Sequence, residues 1–169
     1  MLSNFLMKRM GECVMQRVAN SILIKNKHIL LLKKPRRGWY AIPGGKMEQG
    51  ETVKESVMRE YREETGLELI NPELKGVCTF MIYDHETLIK EWMMFTFVCT
   101  SYRGHLTDYC EEGELAWIPI DELSTIPMAE GDRKIFKYML TSDEILYGSF
   151  SYTTDDELID FRFDSNHVG

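Results

Sequence analysis

The stretch that decides the fold of this chain is residues 45–67, GKMEQGETVKESVMREYREETGL. From Thr52 onward it consists mostly of residues that favour helices. Thr52 can cap the start of a helix, and Gly66 stands where helices commonly end in a left-handed residue. The stretch therefore predicts a loop followed by a helix of about three to four turns.

Three glutamates of this helix, Glu60, Glu63 and Glu64, share one face because they lie at positions i, i+3 and i+4. Their charges repel one another unless a hard divalent cation sits among the oxygens. Mg²⁺ is the usual ion where carboxylates and phosphates share the coordination, and Mn²⁺ can replace it. The pattern predicts a Mg²⁺ site for phosphoryl or pyrophosphoryl chemistry; the alternative is a solvated acidic helix face.

The loop before the helix carries the remaining features of the motif. Glu51 and Arg59 lie at the two ends of a seven-residue gap, where a pair between them would tie the loop to the helix. Gly44 and Gly45 follow Pro43 and let the backbone turn tightly and approach a ligand closely. We expect both glycines to contact the substrate.

The whole stretch matches the Nudix box, G-x5-E-x7-R-E-U-x-E-E-x-G-U with U a bulky apolar residue, at every fixed position. The matching residues are Gly45, Glu51, Arg59, Glu60, Glu63, Glu64 and Gly66. If each residue type has a usage of about 7%, the probability that all seven positions match by chance is on the order of 10⁻⁸ per starting point. The chain thus resembles a Nudix hydrolase, with Tyr61 where an aliphatic residue is more usual.

The resemblance implies an α/β (α+β) fold, an α/β/α sandwich with a mixed sheet. It implies Mg²⁺-dependent attack of water on a nucleoside 5′-triphosphate, giving the monophosphate and pyrophosphate. The metal site would comprise the three glutamates, Gly45 and a carboxylate from a later acidic loop, which by spacing is Glu112, with Glu111 or Glu114 as alternatives. The base that takes the water's proton would be Glu63 or Glu112.

A dense basic cluster follows the apolar, strand-like run over residues 28–32 and leads into the motif. Lys33, Lys34, Arg36 and Arg37 make up this cluster. We expect Lys33 and Arg37, together with Lys46 of the motif, to bind the substrate phosphates. The alternative is a solvated turn.

The end of the chain predicts a helix over 132–140 and a closing hairpin over 145–163. This ending is similar to that of the MutT-like Nudix branch that hydrolyses 8-oxo-dGTP. There, Asp132 would hydrogen-bond the base edge, whereas Ala129 occupies the place of a stacking tryptophan found in some members. An aromatic stack contributes about 1–3 kcal/mol to base binding, so its loss weakens the expected purine selectivity.

Two other functions remain open. The substrate could instead be an RNA 5′ end or a nucleoside diphosphate sugar such as ADP-ribose, and the net charge of −7 argues mildly against the RNA. A non-catalytic nucleotide sensor is the third hypothesis, which the complete set of motif carboxylates disfavours.

The whole-chain properties indicate one domain. With 169 residues, 44% of them hydrophobic, the chain can form a single core, expected over 15–165, with 1–14 an extension or a misplaced start. No segment resembles a signal peptide or membrane span, and the four cysteines lack Cys-x-x-Cys spacing, so we expect free thiols and a cytoplasmic location. Exposed sheet edges allow a homodimer.

Overall fold

The computed structural model describes residues 15–164, which leaves the predicted extension over residues 1–14 and the last predicted domain residue, 165, outside the described part. Within it the chain forms eleven strands and two α-helices. In chain order these are β1 (Gln16–Lys25), β2 (His28–Lys33), β3 (Tyr40–Ala41), β4 (Gly44–Lys46), α1 (Val53–Thr65), β5 (Leu67–Ile70), β6 (Glu73–Asp84), β7 (Thr87–Cys99), β8 (Ser101–Gly104), β9 (Glu114–Pro119), a 3₁₀ helix (Ile120–Glu122), α2 (Glu130–Met139), β10 (Leu146–Thr153) and β11 (Leu158–Asp164).

Nine of the strands form one mixed sheet. Seven of them follow the order β11-β10-β6-β7-β1-β2-β3, while β4 pairs with β1 and β9 pairs with β2. Strand β1 runs parallel to β7, and β6 runs parallel to β10, whereas the hairpin neighbours are antiparallel. Strands β5 and β8 make a separate two-stranded sheet. The mixed sheet confirms the predicted fold class.

Helix α1 begins and ends at the predicted residues. The Thr52 side chain accepts a hydrogen bond from the Glu55 N–H, and the Glu55 carboxylate accepts one from the Thr52 N–H, which makes a capping box. Gly66 ends the helix with a φ of 77° and donates its N–H to the Arg62 carbonyl at 2.9 Å. Local sequence therefore fixes both ends and sets the position of each glutamate along the helix.

The two helices pack on opposite faces of the sheet. Because alternate residues of a strand face opposite sides, Ala19 of β1 belongs to the core cluster of Val57 and Tyr61 from α1. Ile22 of the same strand belongs to the cluster that contains Phe136 of α2. The result is the predicted α/β/α sandwich, whose core is divided between the two sides of the sheet.

Three short strands fall where the sequence indicates loops or no defined element. Strands β3, β4 and β8 contain two, three and four residues, too few to show an apolar alternation. Helix α2 also begins at Glu130, two residues before the predicted start. Strands β4 and β8 depend on partners that are distant in sequence, β1 and β5 respectively.

Two whole-chain expectations can be compared with the described residues. Cys78, Cys99 and Cys110 are free thiols, as expected. None of the helices between residues 15 and 164 has the length and apolar character needed to cross a membrane.

Candidate active site

The carboxylates of the motif gather where α1 passes β4. Glu64 accepts a hydrogen bond from the main-chain N–H of Gly44 at 2.9 Å. Glu60 lies over Gly45, since a Cβ added to Gly45 would be 2.5 Å from Glu60 Cδ and 2.9 Å from its Oε1. The two glycines thus allow the carboxylates to approach the strand closely.

Arg59 connects the loop, the strand and the helix. Its Nε donates to Glu51 Oε1 at 2.5 Å, and its Nη2 donates to Glu51 Oε2 at 3.0 Å, which is the predicted pair. Nη2 also donates to the Lys46 carbonyl at 3.1 Å. Nη1 donates to Glu60 at 2.9 Å and to Glu63 at 3.1 Å. The hydrogen bond from Arg59 holds the pKa of Glu51 down at about 2, so this carboxylate stays charged.

Glu64 is in a different electrostatic environment from Glu51. Burial raises the pKa of its carboxyl to about 7, although the Gly44 N–H and the charge of Lys34 lower it. The negative charges of Glu112 and Glu60 raise it further. A buried carboxylate of this kind is stabilised in its charged form when a cation binds beside it.

The carboxylate oxygens of Glu60, Glu63 and Glu64 are the kind of ligand that a hard divalent cation prefers. Among the described residues, no three acidic, histidine or cysteine side chains already converge at coordinating distance; Glu60 and Glu63 are instead held by Arg59. Glu63 is 57% exposed, and its i,i+4 ion pair with Arg59 contributes about 0.3–0.5 kcal/mol, so turning it toward Glu64 costs little. The metal roles of these three glutamates and of Gly45 stay predictions.

Glu112 reaches the site from the loop between β8 and β9. Lys34 Nζ donates to its Oε2 at 2.8 Å, and this contact lowers the pKa of Glu112. Both residues act on the pKa of Glu64, so they lie within electrostatic range of the helix carboxylates. This placement agrees with the expected position of Glu112, while its role as a metal ligand stays a prediction.

A cavity of about 590 Å³ opens beside the carboxylates, and Gly44 lines it. Aromatic side chains from the sheet form another part of its wall. Phe80 of β6 and Trp92 of β7 stack with ring centres 5.1 Å apart and planes inclined by 11°. Tyr152 of β10 continues the row at 6.4 Å from Phe80. Aromatic side chains in the wall of such a cavity suit contact with a nucleobase.

Asp132 lines the same cavity, in the first turn of α2. Protein atoms surround it closely, and only a minor part of the residue reaches solvent. Burial raises its pKa to about 6, and no described residue donates a hydrogen bond to its carboxylate. A ligand that donates one would relieve the cost of burying it. Ala129 also lines the cavity but offers no ring, so the aromatic surface comes from the sheet instead.

The predicted basic cluster divides between the cavity and its surroundings. Arg37 lines the cavity and pairs with Asp156 at 2.6 Å. Lys34, a member of the cluster for which no separate binding role was predicted, lines the cavity on the side of the carboxylates. Lys33 lies outside this cavity, and the exposed Lys46 reaches the motif through its carbonyl. The substrate-binding roles of Arg37, Lys33 and Lys46 stay predictions.

Sequence reasoning missed most of the cavity wall. The side chains in question belong to four strands and one loop: Asn20, Lys34, Phe80, Trp92 and Tyr152. Alternation within each strand could have assigned its members to one face. The order of the strands, which brings the faces together, had no signal in a single sequence.

Comparison with known proteins agrees with this geometry. The NUDIX domain family matches residues 15–139. The Nudix hydrolase YvcI of Bacillus subtilis (strain 168) is 50% identical over 154 residues, which is 91% of this chain and 98% of that protein. The crystal structure of a Mutator MutT protein from Bacillus halodurans superposes with a TM-score of 0.86 at 50% identity, covering 89% of this chain and 98% of that one.

A more distant relative is larger than this chain. The NAD-capped RNA hydrolase NudC of Vibrio vulnificus (strain CMCP6) is 32% identical over 132 residues, which is 73% of this chain and 48% of NudC. The family match, the half-identical relatives and the arrangement of glutamates around Gly44 and Gly45 all agree, and this chain belongs to the Nudix hydrolase family.

Proposed function

We propose that this Nudix hydrolase uses Mg²⁺ to convert nucleoside 5′-triphosphates to the monophosphate and pyrophosphate, with oxidised guanine nucleotides such as 8-oxo-dGTP as substrates. One observation carries the proposal. Gly44 donates its N–H to Glu64 at 2.9 Å and also lines the aromatic cavity. A nucleotide whose base occupies the cavity therefore has its phosphates beside the carboxylates of α1.

The metal-binding part of the proposal rests on the carboxylates. Glu60, Glu63, Glu64 and Glu112, with the main chain of Gly45, would hold the ion. A bound Mg²⁺ supplies positive charge to the phosphate oxygens and the leaving group, and it lowers the pKa of an attacking water. Hydrolases of this family generally use divalent metal ions, and the all-oxygen donor set favours Mg²⁺ over softer ions.

The other charged groups orient the substrate and accept a proton. Arg59 and Glu51 fasten the loop to the helix and so fix Gly45 against the carboxylates. Lys34 and Arg37, which line the cavity, supply positive charge for the phosphates at its edge. A carboxylate exposed to water, Glu63 at 57% or Glu112 at 58% exposure, takes the proton of the attacking water.

The base would be held by aromatic contacts and by Asp132. The row formed by Trp92, Phe80 and Tyr152 provides rings for the base to pack against. The unpaired carboxylate of Asp132 accepts from N–H groups of the base, and a guanine edge offers two adjacent donors. The Mutator MutT protein from Bacillus halodurans, with 50% identity, is in line with this MutT-like activity.

A second candidate is cleavage of a pyrophosphate linkage in a larger substrate, either an RNA 5′ end or a nucleoside diphosphate sugar such as ADP-ribose. Arg36 and Lys90 are exposed where they line the cavity, and neither has a carboxylate partner among the described residues. They could contact a further anionic part of such a substrate. The NAD-capped RNA hydrolase NudC is among the relatives of this chain.

The test measures turnover of 8-oxo-dGTP, dGTP, ADP-ribose and a 5′-triphosphorylated RNA with Mg²⁺, with pyrophosphate and phosphate quantified separately. Each assay includes Glu63→Gln. Its matched control is Glu68→Gln, which removes an exposed ion pair with Arg103 outside the site. We expect Glu63→Gln to abolish turnover without changing the melting temperature, and Glu68→Gln to retain both.

The outcomes separate the candidates. Preference for 8-oxo-dGTP with release of pyrophosphate supports the proposed function. A higher rate on RNA or ADP-ribose supports the second candidate. Full turnover by Glu63→Gln would contradict the assignment of the metal site, whichever substrate is preferred.

A further inference from the structure

Asn20 is a buried polar residue in the wall of the aromatic cavity. It lies in β1 next to Gly44 of β4, and it is 5% exposed. Its neighbours on the same face of β1 are the apolar residues Val18 and Ile22. An amide at this position needs an explanation, because burying one without full hydrogen bonding destabilises the fold.

The Asn20 amide is incompletely paired. Its Nδ2 donates to the sulfur of Met94 at 3.1 Å, and its Oδ1 has no hydrogen-bond partner among the described residues. A thioether sulfur is a weak acceptor. If the amide is turned by 180°, the two atoms exchange places and one still lacks a partner. Breaking the contact with Met94 therefore costs little, and the amide can rotate toward a ligand.

The rest of the cavity indicates which ligand the amide would meet. Asp132 offers an unpaired carboxylate from α2, and the rings of Trp92 and Phe80 line the same cavity. A guanine edge presents N–H donors beside a carbonyl acceptor, so it can satisfy a carboxylate and an amide together. Adenine presents one amino group and ring acceptors.

We propose that Asn20 determines base specificity: its amide turns from Met94 and hydrogen-bonds the edge of a guanine-type base held in the cavity. Asn20 hydrogen-bonds the base from the side of the sheet, while Asp132 hydrogen-bonds it from the side of α2. This inference rests on the proposed function for the location of the base. It adds a recognition residue that belongs to β1 rather than to the motif or to α2.

The test measures binding of dGMP, 8-oxo-dGMP, dAMP and dCMP without divalent metal, followed by the fluorescence of Trp39 and Trp92 in the cavity wall. The variant is Asn20→Leu, which keeps the shape and removes the amide, and Asn20→Ala is a second variant in case leucine disturbs the packing. The matched control is Thr96→Val. Thr96 lies beside Asn20 on β7, is fully buried and has an unpaired Oγ1, but it does not line the cavity.

We expect wild type to prefer dGMP or 8-oxo-dGMP. Asn20→Leu should weaken binding of the preferred base by about 10- to 100-fold, to the level of dAMP, because leaving a hydrogen-bonding group of the ligand unpaired costs about 1–3 kcal/mol. Thr96→Val should leave the affinities unchanged. Asn20→Leu and Thr96→Val should each raise the melting temperature by a few degrees, since each removes an unpaired buried polar atom.

The inference is overturned if wild type shows no base preference. It is also overturned if Asn20→Leu or Asn20→Ala keeps the preference, or weakens all four nucleotides equally, as a purely structural residue would. Failure of the proposed function would be visible separately, as absence of triphosphate turnover, and would not alter the binding comparison.

Discussion

The two adjacent glycines of β4 allow the roles of folding and metal binding to be separated by single substitutions. In Gly45→Ala the new methyl group would lie 2.5 Å from Glu60 Cδ, whereas non-bonded carbons prefer about 3.5 Å. The Glu60 carboxylate must therefore withdraw by about 1 Å. Gly45 does not have a positive φ, so alanine introduces no backbone strain there. We expect Gly45→Ala to fold normally.

The displacement of the Glu60 carboxylate should lower both turnover and the affinity for Mg²⁺. An error of about 1 Å in the reacting geometry reduces rates on the order of 100-fold. Disturbing the groups that orient metal ligands reduces metal affinity about 10- to 100-fold. Gly45→Ala should therefore lose about two orders of magnitude in turnover and at least one in affinity for Mg²⁺, measured by steady-state kinetics and titration calorimetry.

Gly44→Ala provides the comparison. Gly44 has a φ of 156°, and its new methyl group would lie 2.5 Å from Asn20 Cα, which is held in the sheet. Backbone strain and overpacking each cost about 1–3 kcal/mol. At about 2–4 °C per kcal/mol, this variant should melt well below wild type. The reasoning would be refuted if Gly45→Ala kept normal Mg²⁺ affinity and turnover, or if it melted as low as Gly44→Ala.

Two further predictions concern stability. The Tyr61 hydroxyl is fully buried and has no hydrogen-bond partner among the described residues. Tyr61→Phe should therefore raise the free energy of unfolding, measured by urea denaturation, by about 1–3 kcal/mol. A lower free energy of unfolding in the variant would contradict this account. Asp132 has a pKa of about 6 instead of 3.8 in the folded chain, so the folded state binds this proton more tightly, and stability should fall as the pH rises from 3.8 to about 6. At 1.36 kcal/mol per unit the loss due to Asp132 approaches about 3 kcal/mol. The pKa of Glu64 is also raised, from 4.5 to about 7, so Asp132→Asn should reduce the slope of the stability curve without abolishing it, and an unchanged slope would show that Asp132 does not contribute.

Much of the motif was predictable because its interactions are local. Thr52 and Gly66 define the ends of α1 through hydrogen bonds to residues within the same helix. The pair between Glu51 and Arg59 joins neighbouring segments, and its spacing in the sequence already indicated it.

Contacts between distant segments were not predictable in the same way. The sequence could not show that Arg59 also donates to the Lys46 carbonyl, because that contact depends on where β4 lies against α1. It predicted phosphate binding by Lys33, which stays a prediction, but gave no separate role to Lys34, which lines the cavity and contacts Glu112. Adjacent residues at the end of a strand direct their side chains to opposite faces of the sheet.

The sequence by itself determined the family, the helix with its glutamates and the class of chemistry, because these depend on residue types at fixed short spacings. The tertiary structure alone decided the cavity in which a base would bind. Its wall combines Asn20, Phe80, Trp92 and Tyr152, which lie on four strands. Strand order and register bring them together, and these follow from the burial of the whole sheet rather than from any one stretch of sequence.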